Sequence, residues 1–190
     1  MNENPYARHA PFEIAGKKNL LNPNLRADLF GAMDEEQIWA DFVSWLEVRH
    51  SGIYLDLELL DDAARMLAAI GCLGLDAKLS QWYLATHNEN RLAILSTFLD
   101  GYWMEGALTD ESIINMVIEA TAATNKTLRT TDYASSVWML FKICSREKLR
   151  SQISEAMMNK IKQFLRNQKI TLQAENKLME CAPCLASFNE

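Results

Sequence analysis

The chain has 190 residues, 49% hydrophobic and 23% charged, and a formal net charge of −6. A length in the usual ~100–200-residue range fits one domain and buries about 70% of the unfolded surface, so no disulfide or metal staple is required. The acidic balance argues against a general nucleic-acid binder, which draws on a basic excess. The longest apolar run, Met66 to Leu75, falls well short of the ~20 residues that span a bilayer.

The opening Met-Asn-Glu-Asn-Pro-Tyr has neither the basic nor the apolar region of a secretory signal. Of the four cysteines, Cys72 and Cys144 lie in apolar helical segments, where a free thiol behaves as a small hydrophobe. This usage fits a reducing compartment rather than a disulfide framework. Together these features predict a cytoplasmic protein without a membrane segment.

Residues 1–33 read as an irregular segment broken by Pro5, Pro11 and Pro23, with Asn22-Pro23-Asn24 as a turn signal. Its apolar content predicts that it drapes over the body. A short helix over Asn24 to Phe30 would end at Gly31. Residues 34–190 read as a single helical domain. Asp34 is placed to cap its first helix, with Gln37 completing a capping-box pattern and Met33 and Ile38 at staple positions. Ile38, Trp39, Phe42, Val43, Trp45 and Leu46 form its apolar stripe, and Gly52 is a plausible stop.

Further helices are expected over Asp56–Cys72, Asp76–Thr86 and Glu89–Met104, the last ended by Gly106. Another would start at Thr109 as N-cap, with Asp110 and Glu111 complementing its dipole. Thr130 to Ser145 is apolar nearly all round (Tyr133, Ala134, Val137, Trp138, Leu140, Phe141, Cys144). Such a helix must be covered nearly all round, which predicts the central buried helix. A long amphipathic helix over Arg146–Gln168 and a last one from Thr171, broken by Pro183, complete the chain. No stretch alternates with period two and no Asn-Gly hairpin occurs. The expected fold is all-α, with about eight helices in a compact bundle or a short HEAT-like α-α superhelix.

Two motifs could carry chemistry. Glu47-Val48-Arg49-His50 puts a Glu and a His three apart on a helix; a di-iron bundle uses two such pairs plus two further glutamates. A second such pair is missing, and a surface Glu beside a C-terminal His is the plainer reading. Cys181-Ala182-Pro183-Cys184 has thioredoxin-like spacing, but it lacks the preceding strand and following helix that activate such a thiol. A zinc site would need two more ligands. No phosphate-binding loop, dinucleotide fingerprint or nucleophile elbow is present, so no cofactor is expected.

Charge is segregated along the chain. Between Asp34 and Asp62 stand Asp34, Glu35, Glu36, Asp41, Glu47, Asp56, Glu58, Asp61 and Asp62, against Arg49 alone. Between Lys142 and Lys169 the balance is basic. The acidic stretch reads either as ordinary solvated helix surface or as a docking face that steers a basic partner. In the adjacent pairs Trp82-Tyr83 and Tyr102-Trp103, one member is expected to be partly exposed and could serve as an anchor, with the other packed in the core.

These features suit a non-catalytic, protein-binding helical protein of the bacterial immunity or antitoxin type, which would neutralise a basic toxin domain by covering it. The alternatives are a helical adaptor or scaffold, marked by a peptide-sized groove; an enzyme using Glu47 and His50 or Cys181 and Cys184; and a helical ligand-binding regulator.

Overall fold

The computed structural model describes residues 8–14, 25–50, 55–124 and 131–167. Among them ten helices and no strand occur, so the fold is all-α. Cys181, Cys184, Gly52, the Thr171 helix and the Asn22–Asn24 turn lie outside the described residues.

Local sequence accounts for most helix ends. In α3 (Glu35–Arg49) the Asp34 carboxylate accepts the Gln37 N–H at 2.8 Å. In α4 (Leu57–Ala69) Asp56 accepts the Leu59 N–H at 3.1 Å. Each side chain satisfies a donor that the first turn leaves orphaned. α2 (Leu25–Phe30) stops before Gly31, whose φ of 56° suits a residue without a Cβ. Gly74, with φ 69°, opens α5 (Leu75–Ala85). α6 (Arg91–Glu105) ends at Gly106.

Three expected elements differ. A short helix, α1 (Ala10–Glu13), forms within the segment read as irregular, with Pro11 in its first turn where a missing N–H is harmless. α7 runs Ser112–Ala123 rather than from Thr109. The Thr109 N–H instead donates to Asp76 at 3.0 Å, and the Asp110 carboxylate takes the Ser112 N–H at 2.8 Å. The long basic helix is two helices, α9 (Glu147–Arg150) and α10 (Glu155–Asn167). At the break, Ser154 donates from its N–H (3.0 Å) and its hydroxyl (2.9 Å) to Glu111, and its oxygen accepts the Met157 N–H at 3.2 Å. Glu111, at the entry to α7, thus holds the residue that caps α10.

The even-numbered helices α4, α6, α8 (Thr131–Ser145) and α10 lie side by side in that order. α5 and α7 pack across them. This two-layer alternation is that of α-α hairpins in series. α6, not α8, is the central helix. Every residue from Leu92 to Trp103 except Thr97 is buried. On α8, Tyr133, Val137, Leu140, Phe141 and Cys144 are buried, but Ala134, Ser135, Trp138 and Lys142 are only partly covered.

α6 can be enclosed because its polar groups find partners in neighbouring helices and in the α4–α5 connection. Ser96 hydroxyl meets Ser136 hydroxyl at 3.0 Å, Tyr102 hydroxyl donates to the Cys72 carbonyl at 2.6 Å, and Trp103 indole N–H donates to Asp76 at 2.9 Å. Buried polar groups stay buried only when so paired. α1 seats Phe12 against Phe30, Phe42 and Trp45, at ring separations of 5.8, 5.4 and 5.5 Å.

Candidate functional site

α4, α6 and α8 come together around a close contact. A Cβ added to Gly101 would stand 2.5 Å from the Asp61 carbonyl oxygen and 2.9 Å from its carboxylate, so glycine permits the approach of α4 to α6. Above this contact is an open groove of about 630 Å³, within the ~300–1,000 Å³ of ligand sites. Glu58 and Asp61 line it from α4, Thr97 and Asp100 from α6, Ser135 and Trp138 from α8.

Asp100 organises the charge here. One of its oxygens accepts from Arg146 at 2.7 Å, the other is paired with Lys142, and its carbonyl accepts a second Arg146 N–H at 2.9 Å. Such charge-assisted, forked contacts are the strong members of their class. Asp61 differs. Burial pushes its carboxyl above the ordinary range, the neighbouring Asp100 charge adds to this, and Lys142 and Arg65 oppose it.

A second feature lies between α3 and α5. Trp39, Val43, Trp82 and Ala85 line a shallow depression of about 410 Å³, bordered by Glu36 and Lys78. Glu36 and Lys78 form an ion pair across it. Trp39 and Trp82 are half-buried, and Val48 and Leu84 are 59% and 69% exposed.

The nine acidic candidates are thereby dispersed. Asp34 and Asp56 are helix caps, and Asp56 also pairs with Arg49 at 3.5 Å. Asp41 is buried and accepts from the Gln37 amide at 3.1 Å. Glu36 and Glu47 lie at the α3–α5 depression, Glu47 accepting the Trp82 indole N–H at 2.9 Å. Glu35 is exposed in the first turn of α3, and Asp62 is half-buried on α4. Only Glu58 and Asp61 reach the larger groove.

Glu47 and His50 do not share a face. Glu47 is exposed, whereas His50, at the C-terminal end of α3, is fully buried edge-on to Trp45 at 5.1 Å. Neither ring nitrogen of His50 has a partner among the described residues. Desolvation, with Arg49 adding to it and Asp56 and Glu13 opposing, lowers its pKa to about 4. No cluster of three or more His, Cys, Asp or Glu able to hold a metal ion occurs among the described residues. Cys72 and Cys144 are core residues.

Of the aromatic pairs, Trp82 and Tyr83 are both half-buried, with Arg91 5.1 Å above the Tyr83 ring. Tyr102 and Trp103 are both buried, contrary to the expectation of one partly exposed member. The basic stretch is largely bound within the molecule: Lys148 donates to the Glu105 carbonyl at 2.7 Å, and Lys160 pairs with Glu119 at 3.8 Å.

Sequence reasoning missed Asp100, Ser135 and Trp138 as groove residues. Their signal was present, since Thr131, Ser135, Trp138 and Lys142 recur at helical spacing on one side of α8. Asp100 is a lone acid inside an apolar helix.

Among the described residues, fold and surface together define an all-α protein that carries a charged groove and a tryptophan-lined depression. Among the described residues, no helix is long and apolar enough to cross a membrane. Comparison with protein-family models, curated proteins and solved structures gave no match.

Proposed function

We propose that the protein is a non-catalytic, cytoplasmic binding protein whose α3–α5 face docks a basic protein partner. The observation that carries this reading is the pair of half-buried tryptophans, Trp39 and Trp82, in a surface depression bordered by carboxylates. Interfaces put aromatic anchors at the centre and polar groups at the rim. Glu35, Glu36 and Glu47 lie on or beside this face against Lys78, so the rim attracts positive charge and steers encounter. The same two helices also carry the exposed apolar side chains Val48 and Leu84.

An immunity or antitoxin-type inhibitor covering a basic toxin cleft is the particular form we propose, supported by size and charge. The test is affinity capture from the native lysate, repeated with Trp82→Ala and with the Glu35→Lys/Glu36→Lys double variant. One stoichiometric partner should be retained by the wild type, weakened at least about 30-fold by Trp82→Ala, and lost in high salt. Equal capture by all three proteins would sink the docking reading. Inhibition of the captured partner's activity separates an inhibitor from an adaptor.

A further inference from the structure

The α4–α6–α8 groove has a different chemistry from the α3–α5 face. Hydrogen-bond acceptors reach it from all three helices: Glu58 and Asp61 on α4, Thr97 on α6 and Ser135 on α8. Trp138 contributes a half-buried indole to the same lining. The groove and its floor hold three carboxylates (Glu58, Asp61, Asp100) and two cations (Lys142, Arg146), and Asp100 takes both cations. Three negative charges against two positive leave one in excess, on the α4 side; Arg65 and Asp62 of α4 also act on Asp61 with opposite signs, and Arg65 is itself paired with Glu105 at 3.6 Å. Glu58 and Asp61 have no hydrogen bond or ion pair among the described residues.

We propose that this groove binds one alkylguanidinium group, held by Asp61 and Glu58 and laid against Trp138. One excess negative charge matches one monovalent cation. A guanidinium presents five donors in a plane, which acceptors on three helices can share, whereas an ammonium offers three from a point. It is also weakly hydrated and stacks on aromatic faces, and tryptophan is the best such partner. Burial and the Asp100 charge raise the Asp61 carboxyl although Lys142 and Arg65 oppose them, and a cation seated in the groove would oppose them further. An arginine side chain of another protein and a small free guanidine both carry this group.

The full chain is titrated with butylguanidinium and, separately, with butylurea, its neutral analogue. Nitrogen-resolved NMR follows the Trp138 indole and the amides of 57–61 and 131–138. Saturable shifts confined to these signals are expected with butylguanidinium and none with butylurea. Asp61→Asn, which keeps the side-chain shape, should weaken binding at least about tenfold, the effect of losing a charge-assisted contact. Glu36→Gln, on the α3–α5 face, should leave it unchanged. An acetyl-Ala-Arg-Ala-amide peptide that binds more tightly than butylguanidinium assigns the group to a protein. Equal or weaker binding assigns it to a free guanidine, and either upholds the site. An equal response to butylurea, no shift at Trp138, or unchanged affinity in Asp61→Asn overturns it. The readout lies in the groove, so its failure leaves the α3–α5 proposal standing, and the reverse holds.

Discussion

The α4–α6–α8 seam and the α3–α5 face use similar residues to opposite ends. In the seam, charge is drawn inward: Asp100 is 9% exposed and holds Lys142 and Arg146, and Gly101 lets two backbones nearly touch. On α3 and α5, apolar side chains are left outward, with Trp39 and Trp82 half-covered and Val48 and Leu84 open. The seam therefore carries stability and tolerates little change. The face carries little stability and is free to be specialised for contact, as binding surfaces on rigid scaffolds are.

The sharpest way to break this contrast is Gly101→Ala. Its Cβ would meet the Asp61 backbone at 2.5 Å, so α4 must move off α6, at a loss of about 3 kcal/mol by overpacking. Urea denaturation should show a lower midpoint at unchanged slope, and an unchanged midpoint would refute the close contact.

Next in size is acid sensitivity at the end of α3. His50 has a folded pKa of about 4 against 6.5 unfolded, so the unfolded chain binds the extra proton between those values. Its contribution is fully present above pH 6.5 and is lost as pH falls toward 4, a change of about 3 kcal/mol. Asp61 and Asp132, whose carboxyls burial raises, act with the opposite sign. The difference between wild-type and His50→Leu stability curves isolates the histidine, and parallel curves from pH 7 to 4 would remove it.

Asp100→Asn should cost about 1–2 kcal/mol, because Arg146 and Lys142 lose a charged acceptor yet remain partly solvated. Thermal unfolding at low and high salt measures it, with the loss smaller in high salt. Smallest is Leu84→Ser on the other region. Its side chain is 69% exposed, so stability should shift by no more than about 0.5 kcal/mol. A large loss there would show that the face is packed rather than open.

Helix class and most helix ends were legible because their causes are local. The Asp34 and Asp56 caps act within three residues, and Gly31 and Gly106 stop their helices in place. The candidate sites were less legible. The acidic stretch from Asp34 to Asp62 is continuous in sequence, but folding turns two of its members into caps, buries Asp41, and sends Glu36 and Glu47 to one surface and Glu58 and Asp61 to another. A run of charge records no direction, and helix rotation assigns one.

By itself the sequence determined an all-α chain, the apolar faces of its helices and the residues that cap them, since propensity, periodicity and capping act over a few residues. Tertiary structure decided which helix is central, where the basic helix breaks and which carboxylates share a groove. The physical reason is that burial depends on partners far along the chain. Asp100 is enclosed because Arg146 reaches it from 46 residues away, Ser96 because Ser136 meets it from 40, and α10 begins where Glu111 grips Ser154 across 43.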